Sequence, residues 1–326
     1  MKRLIAALIA GLAAALAAAP SPAAAQSERS LDTAFAVSPG TRFELHSFAG
    51  EADIRGTRRR QIRIQAEYER GQIEIDVSRS VVSVRPSGRY GMHDVTFTIE
   101  LPVGTPLTAN AVTGDITVGG VCGEAELHSA SGDIELECGR GNVTLETAAG
   151  DVTASDITGR LDASSAAGDV SIQNAQADVT ARSASGDIDL DGVEGDEVSA
   201  ETVSGEVTFA GPIRDGGRYR FQSHSGDVTV QPENRNLNAT VSVSTFSGDL
   251  DSDYPITLTQ GRRLRGREFE FTVGTGSARV ILSSFSGTIY LRQGGAHRRT
   301  GESQSDRDRS REDTRSRDPK QLEIRP

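Results

Sequence analysis

The chain has 326 residues and a formal net charge of −11, with 10 Phe, 5 Tyr and no Trp. That length suits one large domain or two modest ones, and the acidic balance disfavours nonspecific binding to nucleic acid. So few aromatic residues point to a thin interior of Val, Ile, Leu and Ala.

Residues 1–25 read as a signal peptide. Lys2 and Arg3 precede the apolar run LIAALIAGLAAALAAA, and Ala23-Ala24-Ala25 before Gln26 fits a small-x-small cleavage site. An uncleaved membrane anchor is the alternative, and Pro20 and Pro22 suit it poorly. No Cys lies near the cut for a lipid anchor. No later stretch approaches the ~18 apolar residues of a membrane helix, so no transmembrane segment is expected after cleavage. The expected location is the periplasm, the medium or the cell surface.

Residues 26–105 are expected to form a β-strand capping region. Phe35-Ala36-Val37, Arg42–Leu45, Gln61–Ile64, Gln72–Val77, Val81–Val84 and Val95–Ile99 have strand character. Ser47-Phe48-Ala49-Gly50-Glu51 looks like a displaced copy of the motif that dominates the next region.

Residues 106–292 carry that motif, Ser/Ala/Thr-Gly-Asp/Glu. Gly114, Gly132, Gly150, Gly168 and Gly186 stand 18 residues apart, and Gly205, Gly226, Gly248 and Gly287 continue the series at wider intervals. A half-period appears at Gly123, Gly141, Gly159, Ala177 and Gly195. After each glycine, apolar residues alternate with polar ones, as in Ile116/Val118, Ile134/Leu136, Val170/Ile172 and Ile188/Leu190. Period-two alternation marks a strand with one buried face. Short strands at a fixed interval, separated by glycine turns, predict an all-β solenoid of about 18–22 residues per coil. The nine glycines are assigned to its corners.

Three columns accompany these corners. Asp115, Asp133, Asp151, Asp169 and Asp187 follow the glycines, and Glu206, Asp227 and Asp249 extend the column. Turn capping by the carboxylate is the preferred role; a calcium site is the alternative. Calcium-binding rolls share the 18-residue turn but use G-G-x-G-x-D, and here Asp follows Gly directly. Three places before each Gly stands a hydroxyl: Ser129, Thr147, Ser165, Ser183, Thr202, Ser223, Thr245 and Ser284. Two places before stand Val112, Ala130, Ala148, Ala166, Ala184, Val203, His224, Phe246 and Phe285, expected to line an inward corner. Residues 101–255 hold 26 Asp/Glu against 7 Lys/Arg, so the rod is acidic.

Cys122 and Cys138, 16 residues apart, fall on adjacent coils and are expected to form a disulfide in an exported protein. The five His residues are scattered. No zinc-protease, nucleophile-elbow or phosphate-loop motif is present, so no catalytic residue and no cofactor is assigned. Arg218 and Arg220 near Asp227 are the one hint of glycan chemistry. Residues 293–326 are expected to be a disordered charged tail, because the run from Ser303 to Lys320 is almost wholly polar.

The PGTRFELHSFAGEADIRG opening, the FTIELPVGTPLTANAVTGDITV segment, the SGDI/SGDV coils and the GTGSARVILSSFSGTIYLR ending resemble the bacterial DUF4097 family. The likeness covers roughly residues 35–292. It implies an exported or envelope-associated β-solenoid without assigned catalytic residues. The family's adhesin label is itself inferred from shape. The expected function is therefore a non-enzymatic binding, adhesin-like or structural module at the cell envelope, with an unidentified protein or polysaccharide partner. The rival readings are a glycan-active enzyme on the same scaffold and an envelope-signalling accessory protein.

Overall fold

The computed structural model describes residues 29–69, 71–87, 95–234, 236–255 and 267–294. The expected signal peptide, and the expected tail beyond Gly294, lie outside the described residues.

Twenty-four strands form one hydrogen-bonded sheet wound on itself, and the described residues contain no helix. Each coil contributes a strand to each of two facing walls. On the first wall Leu107–Thr113, Ala125–Ser131, the second half of Ile134–Ala149, the second half of Val152–Ala167, Gln176–Ser185, Glu197–Ser204 and Arg218–Ser225 stack in parallel. On the second wall Ile116–Gly119, the first halves of the same two long strands, Val170–Gln173, Ile188–Asp191, Val207–Gly211 and Val228–Pro232 do so. The register is an 18-residue step from Ile116 through Ile134, Val152 and Val170 to Ile188. Such a step places like residue above like residue at ~4.8 Å.

Stacking in register buries one alternating face. Leu127, Leu145, Leu161 and Val179 of the first wall are buried, as are Ile134, Val152, Val170 and Ile188 of the second. Each fully buried aliphatic side chain contributes about 1.5–3 kcal/mol. The interior is narrow in the middle, where Ala154, Ala163 and Ala181 lie, and aromatic toward the ends, at Phe43, Phe97, Phe209, Phe221 and Phe271.

The end rungs depart from chain order. Arg42–Ala49 lies between Val81–Ser87 and Leu107–Thr113, and Ala52–Thr57 lies between Val95–Pro102 and Ile116–Gly119. At the other end Ala278–Ser286 lies between Arg218–Ser225 and Ala239–Thr245. Gly287 therefore stacks on Gly226, with Gly248 beyond it, whereas the linear spacing suggested the reverse order. Parallel rungs also occur before residue 106, so eleven first-wall strands stack in parallel among the described residues. Antiparallel strands lie against the terminal rungs: Gln72–Val77 on Val81–Ser87, Gln61–Tyr68 on Val95–Pro102, and Arg267–Val273 on Ala239–Thr245. They satisfy backbone groups that a bare solenoid end would leave open.

Candidate binding surface

The Gly corner decides which side chains reach solvent. Gly150 has φ +148°, and a Cβ there would overlap the carbonyl oxygen of Gly132 on the preceding rung. Glycine is required both for that dihedral and for that approach. The hydroxyl three places earlier points inward and caps the same carbonyl. Thr147 Oγ1 donates to Gly132 O at 3.0 Å, Ser165 Oγ to Gly150 O at 2.8 Å and Ser183 Oγ to Gly168 O at 3.0 Å. These hydroxyls are buried.

With the hydroxyl facing in, the next residue must face out. The column expected to line an inward corner is therefore corrected: it is exposed. Ala130, Ala148, Ala166 and Ala184 all lie on the surface, as does His224. Val112, Val203, Phe246 and Phe285 are 48%, 54%, 66% and 46% exposed. The alternation that buries Val143 and Leu145 continues through Thr147 and so turns Ala148 outward; the apolar character of the column pointed the other way.

The exposed column is an apolar edge running along the rod. In its middle, alanines and buried hydroxyls floor an open groove of about 690 Å³, walled by His128, Glu146 and Arg182. His128 sits between two carboxylates, with Nε2 3.3 Å from Glu126 and Nδ1 3.2 Å from Glu146. At the C-terminal rungs the edge becomes aromatic. The His224 ring stacks on Phe285 with centroids 4.7 Å apart, and Phe285 stacks on Phe246 at 4.8 Å with planes 2° apart. The strand register imposes that spacing.

The same rungs carry a basic patch. Arg218, Arg220 and Arg279 line a depression of about 290 Å³ with Glu197 and Ile281. Arg218 is 3.8 Å from Glu197. Asp227, the partner suggested for Arg218 and Arg220 by the sequence, instead accepts the amide of Thr288 at 2.7 Å across the corner.

The Asp column forms a ladder. Asp115 Oδ1 accepts the amide of Asp133 at 2.9 Å, and Asp133, Asp151 and Asp169 each accept the next Asp amide at 2.8 Å. Asp187 accepts the Glu206 amide at 2.7 Å. Among the described residues, no group of three or more His, Cys, Asp or Glu is arranged to hold a metal ion. On the second wall, burial and then the charges of Asp191 and Glu206 push the Asp189 carboxyl above its ordinary 3.8.

At the second corner Gly120, Cys138, Asp156, Asn174 and Gly192 occupy one left-handed column, with φ between 53° and 72°. Sequence reasoning passed over this column. Its 18-residue spacing and its bias toward Gly, Asn and Asp were the available signal. Cys138 is joined to Cys122 by a disulfide with Cα atoms 4.7 Å apart.

These features define a parallel β-solenoid with an exposed apolar edge that turns aromatic, beside a basic patch, at one end. The chain belongs to the Toastrack DUF4097 family, whose sequence model matches residues 51–292. Among solved structures, the chain resembles a candidate adhesin from Bacteroides fragilis at 11% identity, with 82% of this chain and 99% of that chain covered and a TM-score of 0.42. It also resembles a candidate lipid-binding protein from Parabacteroides distasonis at 12% identity, with 82% and 97% covered and a TM-score of 0.43. No curated protein matches this sequence. No helix among the described residues is long and apolar enough to cross a membrane.

Proposed function

We propose that the protein is a non-enzymatic, exported binding module of the cell envelope that engages its partner along the exposed edge. The observation that carries this reading is the His224–Phe285–Phe246 stack. Three rings face solvent two rungs beyond the groove on the same edge, where the core gains nothing from their exposed area. Contiguous exposed apolar surface of this kind marks interaction sites, and aromatic side chains dominate interface energetics. The groove and the stack belong to one column, so a partner can follow the rod from rung to rung. An exported location rests on the charged, apolar and small-residue series at the N-terminus.

The test is sedimentation of the purified protein with isolated envelopes. The parent should pellet with the envelope fraction, and the F246S/F285S variant should remain largely in the supernatant with its fold intact. Equal pelleting of the two would reject the edge as the binding surface. Depolymerisation of envelope glycans by the purified protein would favour the glycan-active enzyme instead.

A further inference from the structure

We propose that the C-terminal rungs bind a linear glycan carrying carboxylates, with Arg218, Arg220 and Arg279 as the anion-binding residues and the aromatic stack as the contact for its sugar rings. This names the ligand class for the binding module above and rests on that reading.

Charge placement carries the inference. Three cations elsewhere on the rod sit against acids on a neighbouring rung: Arg160 lies 3.9 Å from Asp178, Arg182 lies 4.0 Å from Asp162, and Arg214 lies 3.0 Å from Glu194. At the patch two of the three arginines depart from that pattern: Arg218 lies 3.8 Å from Glu197, but among the described residues no acid lies within 4 Å of the Arg220 or Arg279 guanidinium. Arg218 and Arg279 are in register on adjacent strands, and Arg220 is two residues along from Arg218 on the same outer face. Like charges directly opposite on neighbouring strands destabilise a sheet. Exposed guanidinium groups gathered in this way, on a protein of net charge −11, offer a local anion site. Guanidinium groups pair with planar carboxylates through two parallel hydrogen bonds.

The surroundings select the kind of anion. The two strands that carry the arginines, Arg218–Ser225 and Ala278–Ser286, carry His224 and Phe285 at their other end, and Phe246 directly follows the adjacent Ala239–Thr245, so basic and aromatic groups share one face. Arg220 and His224 are four residues apart along one strand, roughly 13 Å. A chain of sugar units can span that gap, placing carboxylates on the arginines and its C–H faces on the aromatic edge. A broad anionic membrane suits the site less well, because the acidic rod that extends from it would meet the membrane with repulsion.

The test is calorimetric titration of the full mature chain with oligomannuronate, with neutral maltohexaose and phosphatidylglycerol vesicles as comparators. Oligomannuronate should bind, and added salt should weaken the binding. The R218Q/R220Q/R279Q variant should lose at least about tenfold in affinity, equivalent to about 1.4 kcal/mol. The R218K/R220K/R279K variant should retain an intermediate affinity and also controls for folding. No binding of oligomannuronate, unchanged binding by the Gln variant, equal binding of maltohexaose, or binding of the vesicles alone would each overturn the ligand class. If any of these occurs while F246S/F285S still abolishes envelope sedimentation, the binding-module reading survives and only this assignment fails.

Discussion

The Oδ1 atom of Asp133 accepts the backbone amide of Asp151 at 2.8 Å, one full coil further along the chain. The contact repeats rung after rung, so each carboxylate secures the start of the next turn. Deleting it should loosen two rungs together. Asp133→Ala should cost about 1.5–2 kcal/mol, the lower part of the range for hydrogen bonds to a charged group. Asp133→Asn keeps the acceptor and should cost less. Thermal unfolding of the two variants beside the parent checks the order, and equal losses would show that charge, rather than acceptor geometry, matters. Because the column serves this ladder, millimolar calcium should leave the melting temperature unchanged; a rise with calcium would restore the cation-site alternative.

Gly150 and Gly40 separate two uses of positive φ. At Gly150 a Cβ would overlap the Gly132 carbonyl, whereas at Gly40, with φ +83°, it would meet nothing within 4 Å. Gly150→Ala should therefore cost about 3 kcal/mol or more, combining left-handed strain with overpacking. Gly40→Asn should cost less than about 1 kcal/mol, since Asn tolerates the left-handed region. Chemical denaturation midpoints check the contrast.

Much of this fold was legible before any coordinates. The 18-residue glycine interval determined the register, and alternation at Ile134/Leu136 and Ile188/Leu190 identified the buried face of the second wall. The corner failed because hydroxyl and apolar columns stand side by side there. Ser165 and Ala166 compete for the interior, and the serine wins because its hydroxyl meets the Gly150 carbonyl. The exposed aromatic surface was hidden by that error. The order of the end rungs was hidden for another reason. The pairing of Phe221 with Leu282 and of Val243 with Leu282 depends on a long excursion of the chain, which local spacing does not encode.

Cys122 and Cys138 close a loop across adjacent coils. For a separation of 16 residues the chain-entropy relation gives about 3 kcal/mol. Reductant should lower the unfolding midpoint of the parent and leave the C122S/C138S variant unaffected. Free-thiol counting on denatured, unreduced protein should find none, and two thiols would refute the bridge.

Asp189 makes stability depend on pH. Burial and then the neighbouring Asp191 and Glu206 charges raise its folded-state pKa above the ordinary 3.8. The folded state therefore holds the proton more tightly than the unfolded chain. That contribution is present below the ordinary value and is lost as pH rises through the folded-state value. Asp189→Asn should accordingly stabilise the protein at neutral pH, and the gain should vanish below about pH 4. Melting curves of parent and variant across that window check the sign; a gain that grows toward acid would contradict it.

The exposed edge is tested most directly inside the cell, with a photo-crosslinking phenylalanine analogue at position 246 and, as a control, at Val77, which is also exposed but lies on the N-terminal strands. The account predicts covalent adducts with an envelope polymer or envelope protein from position 246 and none from position 77. Equal labelling at the two positions, or no adduct at position 246 in exporting cells, would contradict a binding role for the aromatic edge.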